Sequence, residues 1–233
     1  MTDPDPARLT RVTRGLAVDA PDPARSLCSA SADMLGVAGA GLVLMTRARA
    51  LGNVCVSDPW TEAVEDVQYA LGEGPCVDAV RSCAPVLVPD LEELAVSRWS
   101  VFRISALEAG VRAAFGFPLL MGNICIGALD LYHDETGALS AEQFADAEAV
   151  AHVATRTVLA WQAVAGADDL PWQLEQVPVH RAAVHQATGM VSVQAMVSVD
   201  DALALLRAYA FVDGRGLGSV AADVVAGRLR LEN

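Results

Sequence analysis

Five Cys, four His and a loop built of glycine, proline and one carboxylate are the residues of this 233-residue chain whose types could do chemistry. Cys28, Cys55, Cys76, Cys83 and Cys125 all precede residue 130, include no C-x-x-C pair and are odd in number. Metal and iron–sulfur ligands come in close pairs, so these thiols read as reduced, small apolar core residues. His133, His152, His180 and His185 are dispersed. His180 and His185, five positions apart, would project roughly 140° from one another on a helix and make no metal-binding face. His133, beside Asp134 and Glu135, reads as a turn residue. No G-x-S-x-G, P-loop or H-E-x-x-H occurs, and no nucleophile stands in a legible setting with a base. No catalytic residue, metal or cofactor is therefore assigned, and the chain is not expected to be an enzyme. The loop Gly72-Glu73-Gly74-Pro75-Cys76 lacks the continuation of a dinucleotide fingerprint. It reads as a fixed turn that starts a helix and roofs a pocket, with Cys76, Trp60, Tyr69, Trp99, Phe102, Phe115 and Tyr132 as candidate walls for a small-molecule ligand and most of the aromatics serving the core as well.

The elements that must position these residues follow from periodicity. The Pro- and Asp-rich residues 1–23 read as a flexible arm, followed by a helix over 24–35 and a hairpin of strands over 40–46 and 51–57. Residues 60–71 are helical and acidic, 77–82 make a short helix, 86–88 a short strand and 98–109 a further helix. Strands over 113–120 and 125–132 are joined by the Met121-Gly122-Asn123 turn, which makes one antiparallel sheet flanked by helices, an α+β unit. Ser140 and Gln143 form a capping-box pattern at the head of the clearest helix. Along it Phe144, Ala147, Ala151, Ala154, Val158 and Trp161 make a heptad-like stripe that either covers the sheet or also pairs with the same helix of a second subunit.

Gly, Asp and Pro break the pattern after residue 163, so 24–163 reads as one domain, 164–178 as a linker and 179–233 as a small all-α domain. Its three helices carry Val179, Ala183, Ala187 and Met190; Ala202, Leu203, Leu206 and Ala210; and Leu217, Val220, Ala221, Val224 and Val225 on their inner faces. The chain is 53% hydrophobic, which excludes disorder, yet it has no long uninterrupted apolar run, so no membrane association is expected. The acidic N-terminus is unlike a signal peptide, and the expected location is the cytoplasm. The net charge of −13 disfavours indiscriminate binding to phosphate, but the charge is uneven. Up to residue 170 there are 11 Arg against 23 acids; beyond it, five Arg (Arg181, Arg207, Arg215, Arg228, Arg230) stand against six acids. Arg offers a planar fork to phosphate and a flat face to an unpaired base, which suits RNA loops.

Residues 57–132, with Ser57-Asp58-Pro59, Gln68-Tyr69, Leu71-Gly-Glu-Gly-Pro-Cys76, Asp90-Leu91, Phe117-Pro118-Leu119 and Gly127-Ala-Leu-Asp-Leu-Tyr132, resemble the GAF sensor domains of actinobacterial regulators. The tail, with Gln186-Ala-Thr-Gly-Met190, Leu205-Leu206-Arg207 and Val220-Ala221, resembles an ANTAR domain. The resemblance implies a dimeric transcription antiterminator that binds hairpins in nascent transcripts and is gated by a signal in its GAF domain. It places RNA contacts at Arg181, Ala187, Thr188, Gly189, Arg207 and Arg215. Members of that family usually carry a basic residue where this chain has Thr188, and often more at positions matching 192–197 and Gly216. Those departures favour a second reading, a ligand-sensing or protein-interaction module whose tail has lost RNA binding.

Overall fold

A computed structural model of the chain describes residues 5–16, 23–45, 50–95, 97–165 and 179–231, with the side chains of 23–25, 50–51, 162–165 and 179–182 outside that description. The chain divides into two compact units, Met1–Leu170 and Pro171–Asn233. The first contains α1 (Pro6–Gly15), α2 (Pro23–Leu35), β1 (Gly39–Met45), β2 (Ala50–Val56), α3 (Pro59–Leu71), α4 (Pro75–Ser82), β3 (Val86–Val88), α5 (Ser100–Glu108), β4 (Ala113–Met121), β5 (Ile124–His133) and α6 (Ala141–Ala165). The second contains α7 (Val179–Ala195), α8 (Val199–Val212) and α9 (Leu217–Val225). Among the described residues no single helix is long and apolar enough to cross a membrane.

The strands form one antiparallel sheet in the order β2-β1-β5-β4-β3, so the α+β expectation holds. Alternation along each strand sends side chains to two different layers. Ala40, Leu42, Leu44, Phe115, Phe117, Leu119, Leu129 and Leu131 join α1, α2 and α6 in one core. Ala114 and Tyr132 join Val64, Val86, Val88, Leu91, Trp99, Phe102 and Ala106 of the α3–α5 layer in the other.

Two expectations change in the first layer, and the alternative left open for α6 is decided. Residues 6–15 are a helix rather than part of a flexible arm. Pro6 occupies the first turn, where its missing N–H costs nothing, Asp5 accepts from the Ala7 and Arg8 amides, and Val12 and Leu16 are buried. Arg8 and Arg11 both reach the Asp146 carboxylate of α6, the latter at 2.6 Å. Cys28 and Cys55 form a disulfide between α2 and β2 rather than serving as reduced thiols; α2 packs across β2 with the two Cα atoms 5.9 Å apart, within bridging range, and no short motif marks the pair. The α6 stripe is spent inside this unit. Ala147, Ala151, Ala154 and Val158 are buried in the first core with Phe144 and Trp161 packed against it, so this face is no seam for a second subunit. The capping box is present, with the Ser140 and Gln143 side chains each accepting the other residue's amide at 3.0–3.1 Å, and Gln143 Nε2 also donates to Leu35 O at 2.9 Å. The predicted linker lies, beyond the last two residues of α6, outside the described residues.

The three helices of the second unit bury Val184, Ala187, Val191, Leu203, Leu206, Ala210, Leu217, Val220, Ala221 and Val224. Ser198 caps α8 through Asp201, as its spacing predicts.

Close approach of α4 to the sheet depends on Gly116, because a Cβ there would sit 2.7 Å from Pro75 O and 2.8 Å from Pro75 C. Gly116→Ala is expected to cost about 1–3 kcal/mol in urea unfolding, the usual range for overpacking. An unchanged midpoint would show that α4 is not held against β4.

Candidate functional site

The site is built from three local rules. The first is the N-terminus of α3, where Asp58 caps the helix by accepting from the Thr61 amide at 2.9 Å and from the Thr61 and Ser57 hydroxyls at 2.7 and 2.5 Å. Ser57 Oγ in turn accepts from the Ala40 amide at 3.0 Å, which ties the helix start to β1. Burial opposes ionisation of Asp58, but the hydrogen bonds from Ser57 and Thr61 outweigh it and hold the carboxyl below its ordinary value.

The second rule is register. Asp130 in β5 lies opposite Gly41 of β1 and Gly116 of β4, and Tyr132 lies opposite Gly39 and Ala114. Small residues on both sides leave bare backbone around the two polar side chains. The face of α3 spaced i, i+4, i+7 fills that ground with Thr61, Glu65 and Gln68, all buried. A Cβ on Gly39 would collide with Thr61, and one on Gly41 with the Glu65 carboxylate.

The third is the loop after α3. Gly72, at φ 65°, ends the helix in left-handed backbone, and the Glu73 carboxylate accepts the Val101 and Phe102 amides at the start of α5, both at 3.4 Å. Gly74, at φ 129°, leaves room for the Gln68 side chain, and Pro75 opens α4. Asp78 accepts from Trp99 Nε1 at 3.0 Å and from Arg98 Nη2 at 3.1 Å, while the Arg98 guanidinium stacks 4.5 Å over the Trp99 ring. The loop is thus a junction between three helices.

These rules enclose Glu65, Gln68, Cys76, Asp130 and Tyr132. Gln68 Nε2 donates to Tyr132 Oη at 2.5 Å and to Asp130 Oδ2 at 3.3 Å, and Gln68 Oε1 accepts the Cys76 amide at 3.2 Å. Tyr132 donates to Glu65 Oε1 at 2.9 Å. Burial, then the neighbouring Glu65 carboxyl, push Asp130 well above the usual carboxylate range. Burial and the same carboxyls push Tyr132 and Cys76 upward as well, so both stay protonated. Asp130 Oδ1 is buried without a hydrogen-bond partner. The arrangement therefore holds a protonated acid beside a second carboxyl, with an acceptor left over for a donor group. Among the described residues no group of His, Cys, Asp and Glu is placed to hold a metal ion.

Of the predicted pocket residues, Trp60, Trp99, Phe102 and Tyr132 meet in one layer, with the Trp60 and Tyr132 rings edge-on at 6.4 Å. Cys76 abuts Gln68, and Tyr69 is buried beside it in sequence on α3. Phe115 is a correction. It is one residue out of phase with Ala114 and lies in the core on the opposite face of the sheet. The sequence reading missed Glu65, Gln68 and Asp130 as site residues. Asp130 carried a legible signal, being the one charge inside an apolar strand.

Of the predicted RNA contacts, the Arg181 side chain lies outside the described residues. Ala187 and Thr188 are corrections: both are buried in the second unit's core, and Thr188 Oγ1 donates to Val184 O at 2.7 Å. Gly189 is exposed and Arg207 half-buried. Arg215 joins Asp213 at 3.4 Å, Ser219 at 3.0 Å and Asp223 at 2.5 Å, and Arg228 shares Asp223 at 2.6 Å. The bond to Asp223 raises the Arg215 pKa, and the two guanidinium groups hold Asp223 below its ordinary value.

A carboxyl whose pKa is raised by folding binds its proton more tightly in the native chain. Its contribution is complete below the ordinary Asp range near pH 4 and is lost as pH rises toward the raised value, by up to about 1.4 kcal/mol per pH unit. Asp130→Asn is expected to flatten that part of the stability profile between pH 4 and 8 while the rest of the profile stays parallel. Identical profiles for the two proteins would show that Asp130 titrates normally.

The GAF domain family profile matches residues 17–158. No curated protein matches the chain. Among solved structures, the GAF domain of a phosphoenolpyruvate-protein phosphotransferase from Coxiella burnetii aligns over 68% of this chain and 94% of its own length, with 14% identity and a TM-score of 0.51. The corresponding GAF domain from Acinetobacter aligns over 70% and 98%, with 13% identity and a TM-score of 0.50. The family match spans more than half of the sequence, and the five-stranded sheet with its buried face under α3 is the shared fold: this chain belongs to the GAF domain family.

Proposed function

We propose that this chain is a non-enzymatic, signal-sensing transcription regulator. Its GAF unit responds to a small molecule or ion at the Glu65–Asp130 cluster, and its three-helix unit acts as the output by binding hairpin RNA in nascent transcripts as a dimer. The observation that carries the output reading is Gly189. It lies in the interior of α7, where glycine costs up to about 1 kcal/mol relative to alanine, and a Cβ there would meet nothing within 4 Å. Packing does not explain it; close approach of a partner's backbone does. The ANTAR-like positions support the same reading, because Ala187, Leu206, Ala210, Val220 and Ala221 build the core that would present Gly189 and Arg207.

A second reading, a protein-interaction output, is favoured by two other observations. Arg215 is engaged by Asp213 and Asp223 rather than presented. Val193, Met196, Phe211 and Val212 expose large apolar surface on the same unit.

Titration of the full chain with a two-hairpin RNA across a salt series separates the two. Binding is expected to weaken with salt, and Arg207→Ala to reduce the logarithmic salt slope by about one. Gly189→Ala is expected to stabilise the helical unit by about 0.5–1 kcal/mol and yet weaken RNA binding by roughly tenfold or more. Absence of binding at low salt, or a Gly189→Ala protein that binds normally, would overturn the RNA reading in favour of a protein partner.

A further inference from the structure

Between Asp201 and Asp213 every exposed position of α8 is apolar. Ala204, Leu205, Ala208, Phe211 and Val212, spaced i, i+1, i+4, i+7 and i+8, share one outward face, with Leu205 38%, Phe211 64% and Val212 86% exposed. The opposite face, with Ala202, Leu203, Leu206 and Ala210, is buried in the unit's own core. A helix that is apolar on both faces belongs in an interior, and a three-helix unit of this size buries only a small core by itself.

The residue types on this face fix what fits it. Leu205, Ala208 and Val212, and beside them Ala204, Ala208 and Phe211, step by 3 and 4 and so form a ridge matched by another helix. Ala204 and Ala208 precede Phe211 and Val212, so small and large residues complement one another when the helix is paired with its own reversal. About a two-fold axis at Ala208, an antiparallel copy sets Ala208 against the partner's Ala208, Ala204 against the partner's Val212 and Leu205 against the partner's Phe211. Charge selects the same arrangement. A parallel copy would bring Asp200 and Asp201 against themselves, whereas the antiparallel copy sets Asp201 beside the partner's Arg215 and opposes the two helix dipoles. At a net charge of −13 two copies repel one another, so they meet closely only on a face without charge, and the α8 stripe is such a face.

We propose that the outward face of α8 is a homodimer interface, closed by antiparallel pairing with α8 of a second copy about Ala208. Such a pair supplies the dimer that the RNA-binding reading calls for, and it rests on that reading for its purpose but not for its geometry. A helix of 14 residues is about 21 Å long, so the contact is smaller than the roughly 800 Å² per partner of a standard interface and comes apart on dilution. Its strength comes from apolar burial, so salt, which screens the repulsion between two acidic copies, strengthens it.

Analytical sedimentation of the full chain without RNA is expected to show a monomer at low concentration and twice that mass at high concentration, with the balance moving toward dimer as salt is raised. Ala208→Glu, at an exposed position, is expected to keep the helix content and thermal midpoint of the wild-type chain and to stay monomeric at concentrations where the wild type has paired. The register is read by mild oxidation. Ala208→Cys is expected to link to itself, recovered as a disulfide dimer of the tryptic peptide 208–215, and an Ala204→Cys chain to link to a Val212→Cys chain but not to itself. A wild-type chain that stays monomeric whether or not it binds RNA, a dimer that Ala208→Glu leaves intact or that salt dissolves, or self-linking of Ala204→Cys would each overturn the proposal. RNA binding at wild-type affinity by a monomeric Ala208→Glu chain would instead sink the dimeric RNA reading and leave the interface standing.

Discussion

A carboxyl group in the middle of a sheet is costly to bury unless it keeps its proton or meets donors, and one whole face of the GAF unit is arranged around that constraint. Asp130 lies between Gly41 and Gly116, and the absence of side chains there lets α3 and α4 come close enough to replace the water it lost. The replacement is partial. Gln68 supplies a donor to one oxygen, Glu65 brings a second carboxyl alongside through Tyr132, and the other Asp130 oxygen is left over. A purely structural core would place an apolar residue here and gain stability. Retention of two carboxyls, an amide and a phenol in one dry layer has the form of a site whose charge state changes when something arrives.

The opposite face of the sheet obeys ordinary packing. Its residues are apolar, and α6 spends its stripe on them, with α1 pinned alongside by Arg8 and Arg11 on Asp146. One layer is packed throughout with apolar side chains, and the other holds the buried polar cluster. The Cys28–Cys55 bridge fastens α2 to the edge strand β2.

Much of this was legible in the residues. Strands, helices and both capping boxes follow from periodicity and from Ser140, Gln143, Ser198 and Asp201, because local rules govern them. The first helix was hidden by Pro and Asp, which read as breakers yet act as N1 and cap residues once Val12 and Leu16 find a core. Phe115 was misplaced because a strand apolar on both faces has no alternation from which to read direction. Glu65 was hidden for the opposite reason. In an acidic helix, a carboxylate facing inward has the same local sequence as one facing water, and only the glycines of β1, far away in the chain, distinguish them. Disulfide partners such as Cys28 and Cys55 likewise depend on contacts that no spacing announces.

The second unit shows why a count of cationic residues is a poor guide to a phosphate-binding face. Five Arg against six acids looks nearly neutral, but neutrality is reached pairwise: Arg215 and Arg228 converge on Asp223 and hold the turn between α8 and α9 to the last helix. A guanidinium held this way has its fork directions occupied, and offering it to phosphate would mean breaking bonds that order the bundle. What the packing of the unit leaves open on α7 is the bare backbone at Gly189. An open stretch of backbone offers shape rather than charge, the feature by which paired RNA is recognised.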